Sequence, residues 1–266
     1  NREDIENVIR SDAGGIGLFR SEFLYMENGG KLPTEEQQFQ TYKLAAESMG
    51  IKRVVIRTAD LGGEKQAACF EIEPEKNPSM GYRGIRVSLE KEDMFKTQLR
   101  AILRASVYGN VAIMFPMIST VEEVRSAKLL LERAKKELSA EKTAYNKEIQ
   151  VGVMIETPAA VMISGELARE VDFFSIGTND LLQFTLGMDR ENERMEKYFD
   201  PHHPAILKML RIVANNVHLE EKPISICGDM AADLSLTEFF LQIGIDELSV
   251  APGQVLALRK KIREIQ

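Results

Sequence analysis

The sequence has little cysteine and no excess of positive charge. Of its 266 residues only Cys69 and Cys227 are cysteines, and they stand too far apart to build a disulfide framework or a zinc-ligand pattern. Lysine and arginine number 34 against 41 aspartates and glutamates, which gives a net charge of −7. We therefore do not expect nucleic acid to be the main partner.

Long apolar runs are also absent. No uninterrupted apolar stretch approaches the roughly 20 residues that span a bilayer, and no signal-peptide pattern opens the chain. We expect no membrane partner and, with so few cysteines, a reducing cytoplasmic location. The sequence opens on Asn1 rather than methionine, which predicts that it is part of a longer protein.

Short apolar runs rich in β-branched residues recur along the chain. Such continuous runs, without polar alternation, are typical of strands buried on both faces of a parallel sheet. They lie at 16–19, 54–56, 111–115, 151–155, 172–177, 223–227 and 247–250, with a weaker run at 84–87. The sequence therefore predicts a parallel sheet of about eight strands.

Helical patterns separate these runs. Thr34 and Gln37 have the spacing of a capping box, and Ser235 and Glu238 repeat it before a helix that should end near Gly244. About eight strand and helix alternations in this length predict an α/β fold, a (β/α)8 TIM barrel that forms a single domain over residues 1–266. A doubly wound open sheet is the competing arrangement, because periodicity does not report closure.

Polar residues follow the predicted strands at the end where barrel enzymes place their sites. Taken singly, such a residue is more often solvated or salt-bridged than a ligand. Six such residues, each at the same end of its predicted strand, together predict a functional site. They are Arg20, Arg57, Glu156, Asn179, Asp180 and Cys227.

Arginine is frequent among the candidates. Guanidinium groups match phosphate and carboxylate oxygens through paired hydrogen bonds and stay charged, so their convergence in an acidic chain predicts a small, multiply anionic substrate. Lys65 adds a candidate point charge beside Gly62 and Gly63, although two glycines alone indicate only a tight turn. The arginines are Arg20, Arg57, Arg83 and Arg190.

Glu156 and Asp180 follow neighbouring predicted strands. Carboxylate oxygens beside an anionic substrate are a usual setting for Mg2+, which we expect as the cofactor. Two alternatives stay open. Asp180, Thr178 or Asn179 has the side chain of a helix cap, and Glu156 precedes a proline-initiated helix whose dipole favours a carboxylate.

Cys227 differs from Cys69 by its position at a strand end. It is a candidate nucleophile or proton donor, whereas Cys69 is expected to be an inert apolar residue. His202, His203 and His218 lie in no partner motif for it and are expected on turns and a helix surface.

Seven segments together resemble a known family. They are GIGLFRSEFLYM, VVIRTADLGGEK, NPSMGYRGIR, IMFPMI, GVMIETPAA, VDFFSIGTNDLLQFTLGMDR and ICGDMAAD, in this order. The sequence resembles the phosphoenolpyruvate-utilising enzymes and, among them, the C-terminal domain of Enzyme I of the bacterial sugar phosphotransferase system. The resemblance runs essentially end to end. The barrels of pyruvate phosphate dikinase and phosphoenolpyruvate synthase share these motifs and remain alternatives.

The resemblance implies the roles of the site residues. Glu156 and Asp180 would bind Mg2+, and Cys227 would be the proton donor to the enolate carbon that yields pyruvate. One departure is visible, because the family usually has glutamate where Asp229 follows Gly228. The implied phosphoenolpyruvate ligands are Arg20, Arg57, Arg83, Arg190, Asn179 and the Asn179–Asp180 backbone, to which we add Lys65.

The resemblance also implies partners. In Enzyme I the phosphoryl acceptor is a histidine on a separate N-terminal domain, which passes the group to HPr for sugar uptake. No such histidine motif occurs in this sequence, so the N-terminal phosphohistidine and HPr-binding domains are expected to be absent from it. The expected protein is a homodimeric phosphoenolpyruvate-binding half of that transferase. A binding and dimerisation module without turnover is the alternative from another class.

Overall fold

The computed structural model describes residues 2–26, 28–29, 31–63 and 75–265. Within these ranges the strands are β1 (Ile16–Arg20), β2 (Val54–Arg57), β3 (Val111–Phe115), β4 (Gln150–Ile155), β5 (Phe173–Gly177), β6 (Ile224–Cys227) and β7 (Glu247–Leu248). The α-helices are α1 (Arg2–Arg10), α2 (Phe23–Met26), α3 (Glu35–Met49), α4 (Ile85–Glu90), α5 (Glu92–Ala105), α6 (Val121–Ala140), α7 (Pro158–Met162), α8 (Ser164–Ala168), α9 (Thr178–Leu186), α10 (Pro204–Leu219), α11 (Thr237–Gln242) and α12 (Val255–Ile265).

The chain divides into two compact units. The first comprises the residues up to Ile5 together with Gly14–Met117 and Glu122–Val151. The second comprises Glu6–Ala13, Ile118–Val121 and the residues from Gly152 onward. The single-domain expectation for 1–266 stays a prediction. No helix among the described residues is long and apolar enough to cross a membrane.

In the first unit β2 lies between β1 and β3, and both pairings are parallel. Val54 is in register with Ile16 and with Val111, and Arg57 is in register with Arg20 and with Met114. Every residue of β2 and β3 is buried, as expected for strands covered on both faces. The carboxyl ends of β1 and β2 therefore present Arg20 and Arg57 side by side.

Helix α3 packs against α5 beside this sheet. Its predicted capping box is confirmed, because Thr34 Oγ1 accepts from the Gln37 backbone N–H at 3.2 Å and Gln37 Oε1 accepts from the Thr34 N–H at 2.8 Å. Phe39 and Tyr42 face the buried side of α3. Local sequence and packing therefore agree on where this helix begins and which face it buries.

The prediction of a weak strand at 84–87 is wrong, because Gly84 is the N-cap of helix α4 and the following residues are helical. Gly84 has a φ of +61° and turns the chain into the helix, whose Ile85 and Val87 are fully buried. Isoleucine and valine favour strands locally, but burial against the rest of the unit decides the outcome. The described residues consequently hold seven strands.

In the second unit β4, β5, β6 and β7 follow one another as parallel neighbours. Ile155 is in register with Ile176, and Gly177 with Cys227. The polar residues just after β4, β5 and β6 thus lie along one edge. The predicted Ser235 cap is wrong, because Leu236 is the N-cap of α11 without a side-chain bond and Ser235 Oγ donates to Asp233 at 2.6 Å.

Candidate active site

The first unit contributes a buried group of charged side chains that we call the arginine cluster: Glu22, Arg57, Asp60 and Arg83. Arg57 ends β2, and its Nη2 lies 2.6 Å from Glu22 Oε1 and 3.2 Å from Asp60 Oδ2. Arg83 Nε and Nη2 donate to the two oxygens of Asp60 at 3.0 and 2.9 Å. All four residues are buried. Two of the predicted arginines are therefore brought together and paired with carboxylates.

Gly62 explains how Arg83 reaches Asp60. Its φ is +100°, and a Cβ at this position would collide with the Tyr82 carbonyl oxygen and lie 2.9 Å from Arg83 Cα. The Gly84 N–H donates to the Leu61 carbonyl at 2.8 Å and fixes the same approach. Gly62 thus allows a close approach of two backbone segments, beyond the tight turn expected from the paired glycines.

A buried network of hydrogen bonds links side chains next to the arginine cluster to the backbone of Arg57 and Ala59. Ser21 Oγ donates to the Arg57 carbonyl at 2.6 Å, and Gln98 Nε2 donates to Ser21 Oγ at 2.9 Å and to Tyr42 OH at 3.0 Å. The Ala59 N–H donates to Gln98 Oε1 at 2.8 Å. Burial raises the pKa of Tyr42 far above its ordinary value, against the hydrogen bonds from Gln98 and Ser21. Tyr42 therefore acts here as a neutral hydrogen-bonding group.

Arg20 differs from the other two arginines of this unit in being exposed. It ends β1 beside Arg57 of β2, and its guanidinium carbon lies 5.2 Å from the centre of the Phe23 ring. A cation over an aromatic face is held in place while its charge stays accessible. The structure thus places Arg20 on the strand edge that carries Arg57 but outside the buried cluster. Lys65 lies outside the described residues.

The second unit places the two predicted metal ligands at the ends of neighbouring strands. Glu156 directly follows β4, and Asp180 lies in the first turn of α9 after β5; both are buried. A Cβ added to Gly177 would lie 2.9 Å from Glu156 Oε2, so the absence of a side chain there makes room for the carboxylate. Two hard oxygen donors on adjoining strand ends fit Mg2+. Among the described residues no group of three acidic, histidine or cysteine ligands is found.

The helix-cap alternative for Asp180, Thr178 or Asn179 is wrong, whereas Glu156 does stand just before a helix that begins with a proline, as its helix-dipole alternative expects. The N-cap of α9 is Gly177, which makes no side-chain bond, and Asp180 sits inside the first turn. The N-cap of α7 is Thr157, whose Oγ1 accepts from the Ala160 N–H at 3.1 Å, so Glu156 precedes the cap. Asp180 can still favour the positive end of the α9 dipole.

Asn179 and Asp229 form a reciprocal pair. Asn179 Nδ2 donates to Asp229 Oδ2 at 3.2 Å, and the Asp229 N–H donates to Asn179 Oδ1 at 2.9 Å. Gly228, with a φ of +92°, allows this approach because a Cβ there would lie 2.6 Å from Asn179 Oδ1. Asp229 therefore orients the amide of Asn179.

Cys227 ends β6 with its side chain buried. Its thiol donates to the Ile176 carbonyl at 3.4 Å, and Ser175 Oγ donates to its sulfur at 3.6 Å. Thr178 Oγ1 donates to the Cys227 carbonyl at 2.9 Å and ties the end of β6 to the start of α9. Cys227 thus lies along the same strand ends as Glu156 and Asp180. Cys69 lies outside the described residues.

Arg190 follows α9 and is partly buried. Its backbone N–H donates to Gln183 Oε1 at 3.0 Å, and its Nε lies 3.5 Å from Glu191 Oε1. Backbone anchoring to α9 fixes where the side chain begins. Arg190 therefore lies in the second unit, a few residues beyond the helix that carries Asn179 and Asp180.

The three histidines have other partners. His202 Nε2 lies 2.8 Å from Asp233 Oδ2, and His203 Nδ1 accepts from the Ala205 N–H at 3.2 Å as the N-cap of α10. Burial raises the pKa of Asp233, but hydrogen bonds from Ser235 and His202 outweigh it and lower that pKa. His218 lies in the last turn of α10. Their expected positions on turns and a helix surface are confirmed.

Sequence reasoning missed the acidic members of the arginine cluster. Glu22 stands two residues after Arg20, and Asp60 stands three residues after Arg57, yet neither ends a predicted strand. A carboxylate at such short spacing from a strand-end arginine is the available signal. It identifies a partner only after the fold buries both groups.

The family model for the phosphoenolpyruvate-binding domain of phosphoenolpyruvate-utilising enzymes matches residues 1–266. The chain belongs to this family. It is 47% identical over 263 residues to the phosphoenolpyruvate-protein phosphotransferase of Priestia megaterium and 44% identical over 263 residues to that of Bacillus subtilis (strain 168). Each match covers 99% of this chain and 46% of the relative. The chain therefore spans about half the length of these relatives.

Two solved structures are similar in fold. One is a citrate lyase from Burkholderia xenovorans LB400, with a TM-score of 0.52, 17% identity and coverage of 92% of this chain and 74% of that one. The other is an HpcH/Hpal aldolase/citrate lyase family protein from Burkholderia cenocepacia J2315, with a TM-score of 0.56, 15% identity and coverage of 98% and 90%. These likenesses concern the fold alone. They confirm the α/β barrel class against the doubly wound alternative.

Proposed function

We propose that this chain binds phosphoenolpyruvate as part of a phosphoenolpyruvate-protein phosphotransferase. In that enzyme the phosphoryl group passes to a histidine on another domain and then to HPr, in support of sugar uptake. The observation that carries the proposal is the family match over the whole chain. The relatives at 44–47% identity are phosphoenolpyruvate-protein phosphotransferases, which favours the transferase over a dikinase or synthase.

Phosphoenolpyruvate carries a phosphate and a carboxylate, and the arginines suit both. In the proposal Arg57 and Arg83 bind oxygens of the substrate from fixed positions, while Arg20 and Arg190 add charge from less buried ones. Their fixed donors compensate the charge that spreads over the phosphoryl oxygens during transfer. Lys65 is assigned to the same substrate as an additional point charge, from the sequence alone.

Glu156 and Asp180 are the proposed holders of Mg2+. Their support is the chemistry of two buried carboxylates at adjoining strand ends and the space that Gly177 leaves beside Glu156. When bound, the ion supplies Lewis-acid stabilisation for negative charge on the substrate oxygens. Asn179, oriented by Asp229, is proposed to donate to the substrate from the same edge.

Cys227 is the proposed proton donor. Once the phosphorus–oxygen bond is broken, the departing enolate takes the thiol proton at its methylene carbon and becomes pyruvate, which leaves a thiolate. Ser175 donates a hydrogen bond to that sulfur and so stabilises the thiolate. In the reverse direction the thiolate removes a methyl proton from pyruvate.

The phosphoryl acceptor is proposed to lie outside this chain. The histidines of this chain already have structural partners: His202 contacts Asp233, His203 caps α10, and His218 contacts Asp246. The donor-binding half therefore needs a partner domain that carries the acceptor histidine. Homodimer formation, implied by the resemblance to Enzyme I, and a cytoplasmic location, expected from the scarcity of cysteine, complete the proposal.

Calorimetric titration of the chain with phosphoenolpyruvate, with and without Mg2+, tests the proposal. Saturable binding of one equivalent per chain that strengthens with Mg2+ is expected. Titration with inorganic phosphate is the control, since it lacks the carboxylate and should bind more weakly. Absence of phosphoenolpyruvate binding in the presence of Mg2+ contradicts the proposal.

A second candidate function is binding and dimerisation without turnover. It is favoured by the same engagement of all three histidines, because a chain without an acceptor has nothing to phosphorylate. Proton NMR of the chain incubated with phosphoenolpyruvate, Mg2+ and a separate domain that carries the acceptor histidine separates the two. Release of pyruvate in step with phosphorylation of that domain would contradict the binding-only function.

A further inference from the structure

Asp60 is the central member of the arginine cluster. Its Oδ2 lies 3.2 Å from Arg57 Nη2 and 2.9 Å from Arg83 Nη2, and its Oδ1 accepts from Arg83 Nε at 3.0 Å. One buried carboxylate oxygen is thus shared by two guanidinium groups from different segments of the chain. With Glu22 on the other side of Arg57, the four side chains carry two positive and two negative formal charges.

We propose that Asp60 is a positioning residue that holds Arg57 and Arg83 as a fixed pair of hydrogen-bond donors for the anionic groups of phosphoenolpyruvate. The inference rests on the proposed function and goes beyond it, since Asp60 itself does not bind the anion. Two buried guanidinium groups repel each other strongly where the dielectric is low. The shared carboxylate offsets this repulsion and fixes the direction of both groups before the substrate arrives.

A positioning role of Asp60 and a role of its charge alone predict opposite effects of Asp60→Asn on the affinity for phosphoenolpyruvate. If Asp60 acted only through its charge, the neutral Asp60→Asn substitution would make the cluster more positive and tighten the binding of an anion. If Asp60 positions the arginines, the same substitution releases them from their shared partner and weakens binding. The direction of the change therefore distinguishes the two roles.

Glu35 offers a matched control within the same unit. It also bridges two arginines, because its carboxylate accepts from Arg100 Nε at 2.6 Å and from Arg104 Nη1 at 2.7 Å. It lies in the first turn of α3, outside the arginine cluster. Glu35→Gln removes the same charge from an arginine bridge and reports what such a loss does to the fold alone.

The experiment titrates phosphoenolpyruvate with Mg2+ into the wild-type chain, Asp60→Asn, Asp60→Glu and Glu35→Gln. It is run at a temperature at which circular dichroism shows each variant folded. We expect Kd to rise about tenfold or more in Asp60→Asn, to recover in part in Asp60→Glu, and to stay within twofold of wild type in Glu35→Gln.

If wild type binds, unchanged or tighter binding by Asp60→Asn overturns the inference and leaves the proposed function intact. Equal losses in Asp60→Asn and Asp60→Glu also overturn it, as does an equal loss in Glu35→Gln. If wild type does not bind, the proposed function fails and the inference fails with it.

A second variant covers the case in which Asp60→Asn does not fold. Combining Asp60→Asn with Arg83→Met removes a buried charge pair together, which is better tolerated than removing one partner. We expect this double variant to fold and to bind phosphoenolpyruvate severalfold more weakly than Arg83→Met alone, because Arg57 has also lost its contact with Asp60. Binding equal to or tighter than that of Arg83→Met alone overturns the inference.

Discussion

At the scale of single residues, the strand-end positions separate two chemically similar sets of side chains. Arg57 and Arg83 are buried and ion-paired with carboxylates, whereas Arg20 is exposed over Phe23. Buried guanidinium groups are costly unless they are paired, so their carboxylate partners are part of the site. A strand-end arginine consequently indicates a binding site only when the carboxylate that pairs with it is also known.

Cys227 and Ser175 make the sharpest test at this scale. In the full-length transferase with Mg2+ in deuterated water, Cys227→Ala should abolish exchange of the pyruvate methyl protons, because the group that carries the proton is gone. Ser175→Ala should slow the exchange severalfold, because the thiolate loses one hydrogen bond. Proton NMR of the methyl signal follows both.

Ser225→Ala is the matched control for Ser175→Ala. Ser225 lies in register with Ser175 on the neighbouring strand, but its Oγ donates to the Phe174 carbonyl at 3.1 Å rather than to the sulfur. The Ser225→Ala variant should therefore exchange the pyruvate methyl protons at the wild-type rate. Wild-type exchange in Cys227→Ala would rule out the proton-donor role.

At the scale of elements, parallel strands and their following helices decide where the candidate ligands lie. Gly177 is in register with Cys227 and lies next to Glu156. The carboxyl ends of β4, β5 and β6 therefore carry Glu156, Asp180 and Cys227, respectively. Helix α9 begins directly at Thr178 and carries Asn179 and Asp180 in its first turn. Two ligand types therefore come from a single strand-to-helix junction.

Asp180→Asn tests whether this carboxylate serves the metal or the helix. As a metal ligand its loss should remove most of the Mg2+ enhancement of phosphoenolpyruvate affinity, measured calorimetrically. Its interaction with the helix dipole is worth only about 0.3–1 kcal/mol, so the thermal midpoint should fall by no more than a few degrees.

Glu166→Gln is the control for the dipole effect, because Glu166 lies in the first turn of the neighbouring helix α8 and is not a candidate ligand. It should leave the response to Mg2+ unchanged. A wild-type metal response in Asp180→Asn, together with a lowered thermal midpoint, would support the helix role and contradict the metal role.

The sequence predicted the elements that have a strong local signal. The strands β2 to β6 and the Thr34 capping box rest on apolar runs and cap chemistry that need no knowledge of the rest of the fold. The segment 84–87 and the Ser235 cap failed because tertiary burial and a competing bond to Asp233 outweighed local preference. Asp60 escaped prediction for a related reason, since its role exists only once Arg57 and Arg83 are buried beside it.

At the scale of the whole molecule, the candidate ligands are divided between the two compact units. The first unit carries the arginine cluster and Arg20, and the second carries the carboxylates, Asn179, Arg190 and Cys227. In the proposed chemistry the first set supplies hydrogen-bond donors for an anion, and the second supplies metal ligands and a proton. Neither set includes a histidine.

The chain incubated with phosphoenolpyruvate labelled in its phosphoryl group and Mg2+ should therefore acquire no stable phosphohistidine. Adding a separate N-terminal domain that carries the acceptor histidine should produce labelled acceptor and an equivalent of pyruvate. Acid-labile label is located by peptide mapping after gel separation at alkaline pH. Replacing His202, His203 and His218 by glutamine, one at a time, should leave this transfer in place, because each histidine lies in a structural contact. Stoichiometric labelling of any of the three would contradict the proposal that this chain binds the donor while a separate domain carries the acceptor histidine.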